Sequence, residues 1–175
     1  MARRYSARRY ARAVFEIALE EKRLDQWQGG LEKMAWIAGD KSVASYMESP
    51  DIRFEDKARL LSANLSDIEP LALNMVYLLI SKGRFGMLAD IVDEYQRLLD
   101  EYNNIERAEV TTAVKLDDDD KQRLAKRLGD VIGKKVILDD KTDPDLIGGL
   151  VARVGGKLLD GSTRGKLKAL KRELS

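Results

Sequence analysis

Four consecutive aspartates, Asp117 to Asp120, form the one dense carboxylate cluster of the sequence. Such a cluster invites comparison with a calcium site, which gathers six to eight oxygens on a turning loop. The spacing does not match, because no D-x-D-x-D-G loop with a glutamate at its twelfth position is present. The aspartates precede Leu124, Leu128, Val131 and Ile132, which are apolar positions at helical spacing. There the unpaired amides and positive dipole end of a helix favour negative charge, so the run reads as a cap. The glycines of IGGLVARVGGKLLDGSTRGK suggest a phosphate cradle, but a Walker-type loop needs glycine five residues before its Gly-Lys pair. That position holds Val151 before Gly156-Lys157, Asp160 before Gly165-Lys166 and Leu128 before Gly133-Lys134. These glycines suit tight turns and close strand approach, and Asp160-Gly161 is a strong turn signal. Asp139 with Asp143 and Glu16 with Glu20 are the carboxylate pairs open to glycosidase-like work, with solvated faces as the plainer reading.

The composition narrows the chemistry further. The 175 residues include no histidine and no cysteine. A disulfide framework, a thiolate nucleophile and sulfur-ligated metal sites are excluded, and the commonest general base and metal ligand is missing. No cofactor is expected. With 31 basic against 30 acidic side chains, the net charge is +1, unlike a dedicated nucleic-acid binder that must neutralise many phosphates. The exception is the start, where Arg3, Arg4, Arg8, Arg9 and Arg12 interleave with Tyr5 and Tyr10. A helical nucleic-acid-binding module using this first helix is the rival functional reading. The longest apolar run, Leu71 to Ile80, is half the ~20 residues that cross a bilayer. The opening MARRYSARRYAR is acid-free like an organellar targeting segment, yet it continues into a helical apolar pattern and reads as the start of the first helix.

The organisation changes near residue 105. Residues 1–105 read as helix throughout, with breaks at Gly29-Gly30, Gly39-Asp40, Ser49-Pro50, Pro70 and Gly83. Leu24, Trp27, Leu31, Met34 and Ala38 recur at three-and-four spacing, as do Phe85, Leu88, Val92, Tyr95, Leu99 and Tyr102. Shorter helices fit Ser42–Met47 and Phe54–Leu65, the latter entered after Pro50-Asp51, and six antiparallel helices result. Residues 106–175 read as a small α/β domain. Ala108, Val110, Thr112 and Val114 alternate along a strand over Ala108–Leu116. A helix follows the aspartates, then strands over Lys135–Asp139 and Leu146–Val154, a hairpin at Gly155-Gly156 returning through Lys157–Leu159, and a last helix from Thr163 presenting Leu167, Leu170 and Leu174. The predicted class is mainly α: an N-terminal six-helix bundle, residues 1–105, followed by a small α/β domain, residues 106–175.

Two of these helices carry more apolar surface than one core requires. At 100° per residue the first places Ala11, Val14, Phe15, Ala18 and Leu19 on one stripe and Tyr10, Ala13, Ile17 and Leu24 on a second. The fifth places Ala72, Leu73, Val76, Leu79 and Ile80 on one side, while Leu71, Met75 and Leu78 share the other with Asn74, Ser81 and Lys82. An apolar strip rimmed by polar groups suits a helix-binding groove, and contact with sister helices of the bundle is the alternative.

The segment DPDLIGGLVARVGGKLLDGSTRGKLKAL, residues 143–170, resembles the C-terminal signature of the delta subunit of bacterial rotary ATP synthase, relative of the mitochondrial oligomycin-sensitivity-conferring protein. ARRYARAVFEIALEEKRLDQW, SPDIRFEDKARLL and LNMVYLLISKGRFGMLADIVDEY resemble further parts of that family in the family's order. Gly156 is a departure, since the family often has an acidic residue after the glycine of this hairpin. The resemblance implies a non-catalytic stator connector. Its N-terminal domain would sit on the catalytic head and its C-terminal domain would join the b subunits of the peripheral stalk. An alpha-subunit N-terminal helix would lie against the first and fifth helices. Carried over by position, that face holds Tyr10, Ala13, Ile17 and Leu78, with Trp27 close by. The implied location is the cytoplasmic face of a bacterial plasma membrane, reached only through the complex, and the isolated protein is expected to be monomeric.

Overall fold

The computed structural model of the chain describes residues 2–65, 68–146 and 148–163. It is mainly helical with a small mixed sheet near the C-terminal end, and it divides into two compact units, Met1–Leu99 and Asp100–Ser175.

The helices of the first unit are α1 (Ala2–Glu20), α2 (Leu24–Ala38), α3 (Lys41–Glu48), α4 (Phe54–Asn64), α5 (Pro70–Ser81) and α6 (Leu88–Tyr102). A single 3-10 turn, Phe85–Met87, leads into α6, whose last residues belong to the second unit. Local chemistry sets several boundaries. The Asp40 carboxylate accepts from the amides of Ser42 and Val43 at 2.7 and 3.3 Å and caps α3. Pro70 opens α5 at a position whose amide has no helical partner. Beyond Glu20 the chain turns at Lys22 (φ +57), so Leu24 starts α2 rather than extending the second stripe of α1. Gly29-Gly30 does not break α2. A Cβ on Gly30 would lie 3.2 Å from Ile68, so the missing side chain serves close packing within a continuous helix. α4 starts at Phe54, as its spacing suggests, after Arg53 in extended backbone and with Glu55 and Asp56 in its first turn.

One apolar core holds this unit together. Trp27, Leu31, Met34, Met47, Leu79, Leu88, Ile91 and Tyr95 are all essentially inaccessible. Tyr102, expected on the α6 stripe, is 58% exposed, because it lies in the last turn beyond that core. Lys57 is buried as well, and its Nζ donates to the Ser49 carbonyl at 2.6 Å, placing a cation at the C-terminal end of α3.

The second unit is a four-stranded sheet in the order β2-β1-β3-β4, with α7 (Asp118–Ile132) between β1 (Ile105–Thr112) and β2 (Lys135–Thr142), then β3 (Leu150–Val154) and β4 (Lys157–Asp160). β1 runs parallel to β2 and antiparallel to β3, and β3 is antiparallel to β4. Ala108, Val110, Thr112, Ala152 and Val154 are buried, with Leu124, Leu128 and Ile132 of α7 packed on that core. Val114 is 71% exposed because the strand ends at Thr112, and Val131 is 72% exposed, on the outer side of α7. β1 begins three residues earlier than the alternation suggests, where the Arg107 guanidinium meets the buried Asp100 carboxylate at 2.6 Å. The strand expected from Leu146 begins at Leu150, after Gly149 (φ +83). The helix expected to present Leu167, Leu170 and Leu174 lies outside the described residues.

Candidate partner-binding face

The aspartate run and the glycines have structural occupations. Asp117 Oδ1 accepts from the Asp120 amide at 2.7 Å and caps α7, while Asp120 pairs with Arg123 at 2.6 Å. Among the described residues no group of three or more carboxylates is arranged to hold a metal ion. Gly155 and Gly156, at φ +55 and +75, form the two-residue hairpin between β3 and β4, a conformation that favours glycine at both positions. Gly149 lets two backbones meet, since a Cβ there would lie 2.4 Å from the Gly161 carbonyl oxygen. Asp160 accepts from both the amide and the hydroxyl of Ser162, at 2.9 and 2.6 Å, and so makes the anticipated turn.

The surplus apolar surface belongs to α1 and α5. On α1, Ala7, Ala11, Val14 and Ala18 face the core and are closed to solvent, with Phe15 partly buried beside them. Phe15 meets Tyr95 edge-on with ring centroids 5.6 Å apart. Leu19, assigned by periodicity to that inner stripe, is exposed in the last turn. On the second stripe Tyr10 is half-buried, whereas Ala13 and Ile17 are exposed, Ile17 to 39%. On α5, Ala72, Val76, Leu79 and Ile80 are buried while Leu71 and Leu78 stand out at 41% and 45%. Seven residues separate those two leucines, so they share one side of the helix two turns apart. Met75 is 7% exposed and belongs to the core rather than to the outer side. Arg23, just beyond α1, pairs with Glu69, the residue before α5, at 3.1 Å. This ion pair ties the α1–α2 junction to the start of α5.

Trp27 is not part of this open surface. It is 1% exposed, its Nε1 donates to Glu21 at 3.2 Å, and it fills the core of the first unit. Its spacing on the α2 stripe agrees with this burial, and only the carry-over from the family had set it near the groove. Leu71, on the outer side of α5 by its spacing and not among the residues carried over, joins Leu78 on the exposed surface. Trp36, 83% exposed, lies off the α2 stripe, and its offset from the Leu24–Ala38 spacing is the sequence signal of that exposure.

Charged groups frame α1. Glu94 of α6 accepts from Arg8 and from Arg97, both at 3.0 Å. Burial pushes its carboxyl upward, but those hydrogen bonds and positive charges outweigh burial and hold it below its ordinary range. Tyr95 donates to the Leu24 carbonyl at 3.0 Å. Burial, with the Asp25 carboxylate adding to it, raises its hydroxyl well above the usual phenol range.

The family model described as ATP synthase delta (OSCP) subunit matches residues 7–174. The chain belongs to this family. ATP synthase subunit delta of Dehalococcoides mccartyi is 41% identical over 169 residues, covering 97% of this chain and 93% of that protein. The Heliobacterium modesticaldum subunit delta is 36% identical, covering 96% and 92%. In a cryo-EM structure of the Toxoplasma gondii mitochondrial ATP synthase hexamer, one chain shares the fold with a TM-score of 0.67 at 22% identity, covering 96% of both chains. Membership in the delta family lends the nucleic-acid reading no support. In agreement, Arg8 is engaged by Glu94 and Arg12 by Glu16 at 3.2 Å, while the side chains of Arg3, Arg4 and Tyr5 lie outside the described residues. No helix among the described residues is long and apolar enough to cross a membrane, and a delta-family subunit is peripheral to one.

Proposed function

We propose that the exposed apolar surface of α1 and α5 is where this stator-connecting subunit of the rotary ATP synthase holds the catalytic head. Torque from the turning shaft would spin the head unless a static link tied it to the membrane part, so the attachment must not release under load. In this reading the first unit is a six-helix bundle that receives the N-terminal helix of an alpha subunit, and the second unit joins the b subunits. The chain is monomeric when isolated, works at the cytoplasmic face of a bacterial plasma membrane, and has no active site of its own.

The observation that carries the reading is the exposure of Ala13, Ile17 and Leu78 on helices whose opposite sides are closed. Tyr10 is half-covered beside them, and Trp27 acts from beneath as part of the framework. A nanomolar attachment corresponds to about −12 kcal/mol, within reach of a well-ordered amphipathic helix seated by a few apolar anchors. Fully burying a leucine or isoleucine contributes roughly 1.5–3 kcal/mol, and Leu78 and Ile17, 45% and 39% exposed, keep somewhat under half of that gain for a partner.

The test is calorimetric titration of the full chain with an alpha N-terminal peptide, comparing the wild type with Ala13→Asp. Ala13 is exposed, so the variant should fold normally while a charge desolvated by the bound peptide weakens affinity by ~2 kcal/mol or more. Equal affinity for both proteins removes α1 from the site.

A further inference from the structure

A second apolar feature lies on the first unit. A cavity of about 750 Å³ opens among the end of α2, α3 and α4. Met47 and Leu61, both closed to solvent, form its base, with Ile37 and Val43 beside them. Trp36 and Leu60 stand at its mouth, Trp36 with most of its surface open. The size falls in the range of about 300–1,000 Å³ typical of small-molecule sites.

One charged side chain lines this cavity, Asp40. The amides of Ser42 and Val43 both donate to Oδ1, so Oδ2 takes part in neither bond. Those two amide hydrogen bonds, helped by one from the Ser42 hydroxyl, outweigh slight desolvation and keep the carboxyl below its ordinary range, so it is ionised at neutral pH. Lys33, one turn before Trp36, and Lys41, beside Asp40, are exposed and do not line the cavity. An apolar chamber with an indole face and a fixed carboxylate at its edge is complementary to an apolar body carrying a positive charge.

We propose that this cavity binds a hydrophobic organic cation, with its apolar part over Met47 and Leu61 and its ammonium group held by the Trp36 ring and Asp40. The site shares no residue with the α1 and α5 face, so its failure would leave the stator reading untouched, and the reverse.

Three probes with one body and different charge test it on the full chain: 4-phenylbutylammonium, 4-phenylbutan-1-ol and 4-phenylbutyrate, each followed through the indole N–H resonances of Trp36 and Trp27. The ammonium should saturate a shift at Trp36 and bind roughly tenfold tighter than the alcohol, the carboxylate weakest of all. Asp40→Asn preserves the α3 cap and should bring the ammonium and alcohol together. Trp36→Leu keeps an apolar wall and should weaken the ammonium more than the alcohol. An alcohol that binds as tightly as the ammonium overturns the proposal, as does a charge preference surviving in Asp40→Asn or the absence of a saturable shift at Trp36.

Discussion

Replacing Gly149 by alanine tests whether the glycine-rich segment before β3 is architecture. Gly149 sits at φ +83, where an L side chain costs about 1–2 kcal/mol. Its new Cβ would lie 2.4 Å from the Gly161 carbonyl oxygen and 2.9 Å from the Ser162 Cα, both backbone atoms without a rotamer to escape into. The returning segment would have to move, straining the Gly161 amide bond to Leu150 and the Thr163 amide bond to Gly148, both 2.9 Å. Losing them costs about 1 kcal/mol each, while the stiffer unfolded chain returns about 0.5–1 kcal/mol. The net expectation is ~2–3 kcal/mol. Gly156→Ala is the control, because Gly156 sits at φ +75 with no atom within 4 Å of its absent Cβ. Only backbone strain remains, so about 1 kcal/mol is expected. Native-state hydrogen exchange at the amides of Val110 and Ala152 reads the opening free energy of the second unit for both variants. Equal losses, or a Gly149→Ala loss below that of the control, would refute the close-approach argument.

Two further outcomes follow from the first unit. Glu94 has a folded-state pKa below its ordinary 4.5, so the stability it contributes is full above that value and is lost as pH falls through the depressed one. In urea unfolding, the difference between wild type and Glu94→Gln should stay constant from neutral pH down to about pH 5 and shrink below about pH 4.5; a gap that widens on acidification contradicts the assignment. Lys57→Ala removes the buried ammonium that donates to the Ser49 carbonyl and should cost about 1.5–3 kcal/mol in the same assay, whereas a loss under 0.5 kcal/mol would mean that solvent replaces it freely.

Legibility in the sequence followed the physics of each signal. Helical spacing marked most of the core side of α1, where Ala11, Val14 and Ala18 close against their neighbours, but it missed the buried Ala7 and included the exposed Leu19. The Asp117 cap and the Gly155-Gly156 hairpin were readable because each depends on residues adjacent in the chain. What spacing could not supply was tertiary. Gly29-Gly30 resembles a break until Ile68 comes against Gly30, and Trp27, set on the α2 stripe by its spacing and near the groove only by the resemblance, is enclosed by the core. Met75 and Leu78 read alike as apolar residues on one side of a helix, and only the packed neighbours decide that Met75 is covered and Leu78 is open. Trp36 shows the same limit in reverse: its offset from the α2 stripe marks it as outward, but only the packed neighbours make it the edge of an apolar cavity.

The most direct measurement is methyl NMR of the full chain, labelled at alanine, isoleucine, leucine and valine, with and without the head subcomplex of alpha and beta subunits. Signals of Ala13, Ile17 and Leu78 should shift or broaden on binding, and an alpha subunit lacking its N-terminal helix should abolish the effect. Unperturbed signals at all three residues, with changes confined to Leu60 and its neighbours on α4, would contradict the account.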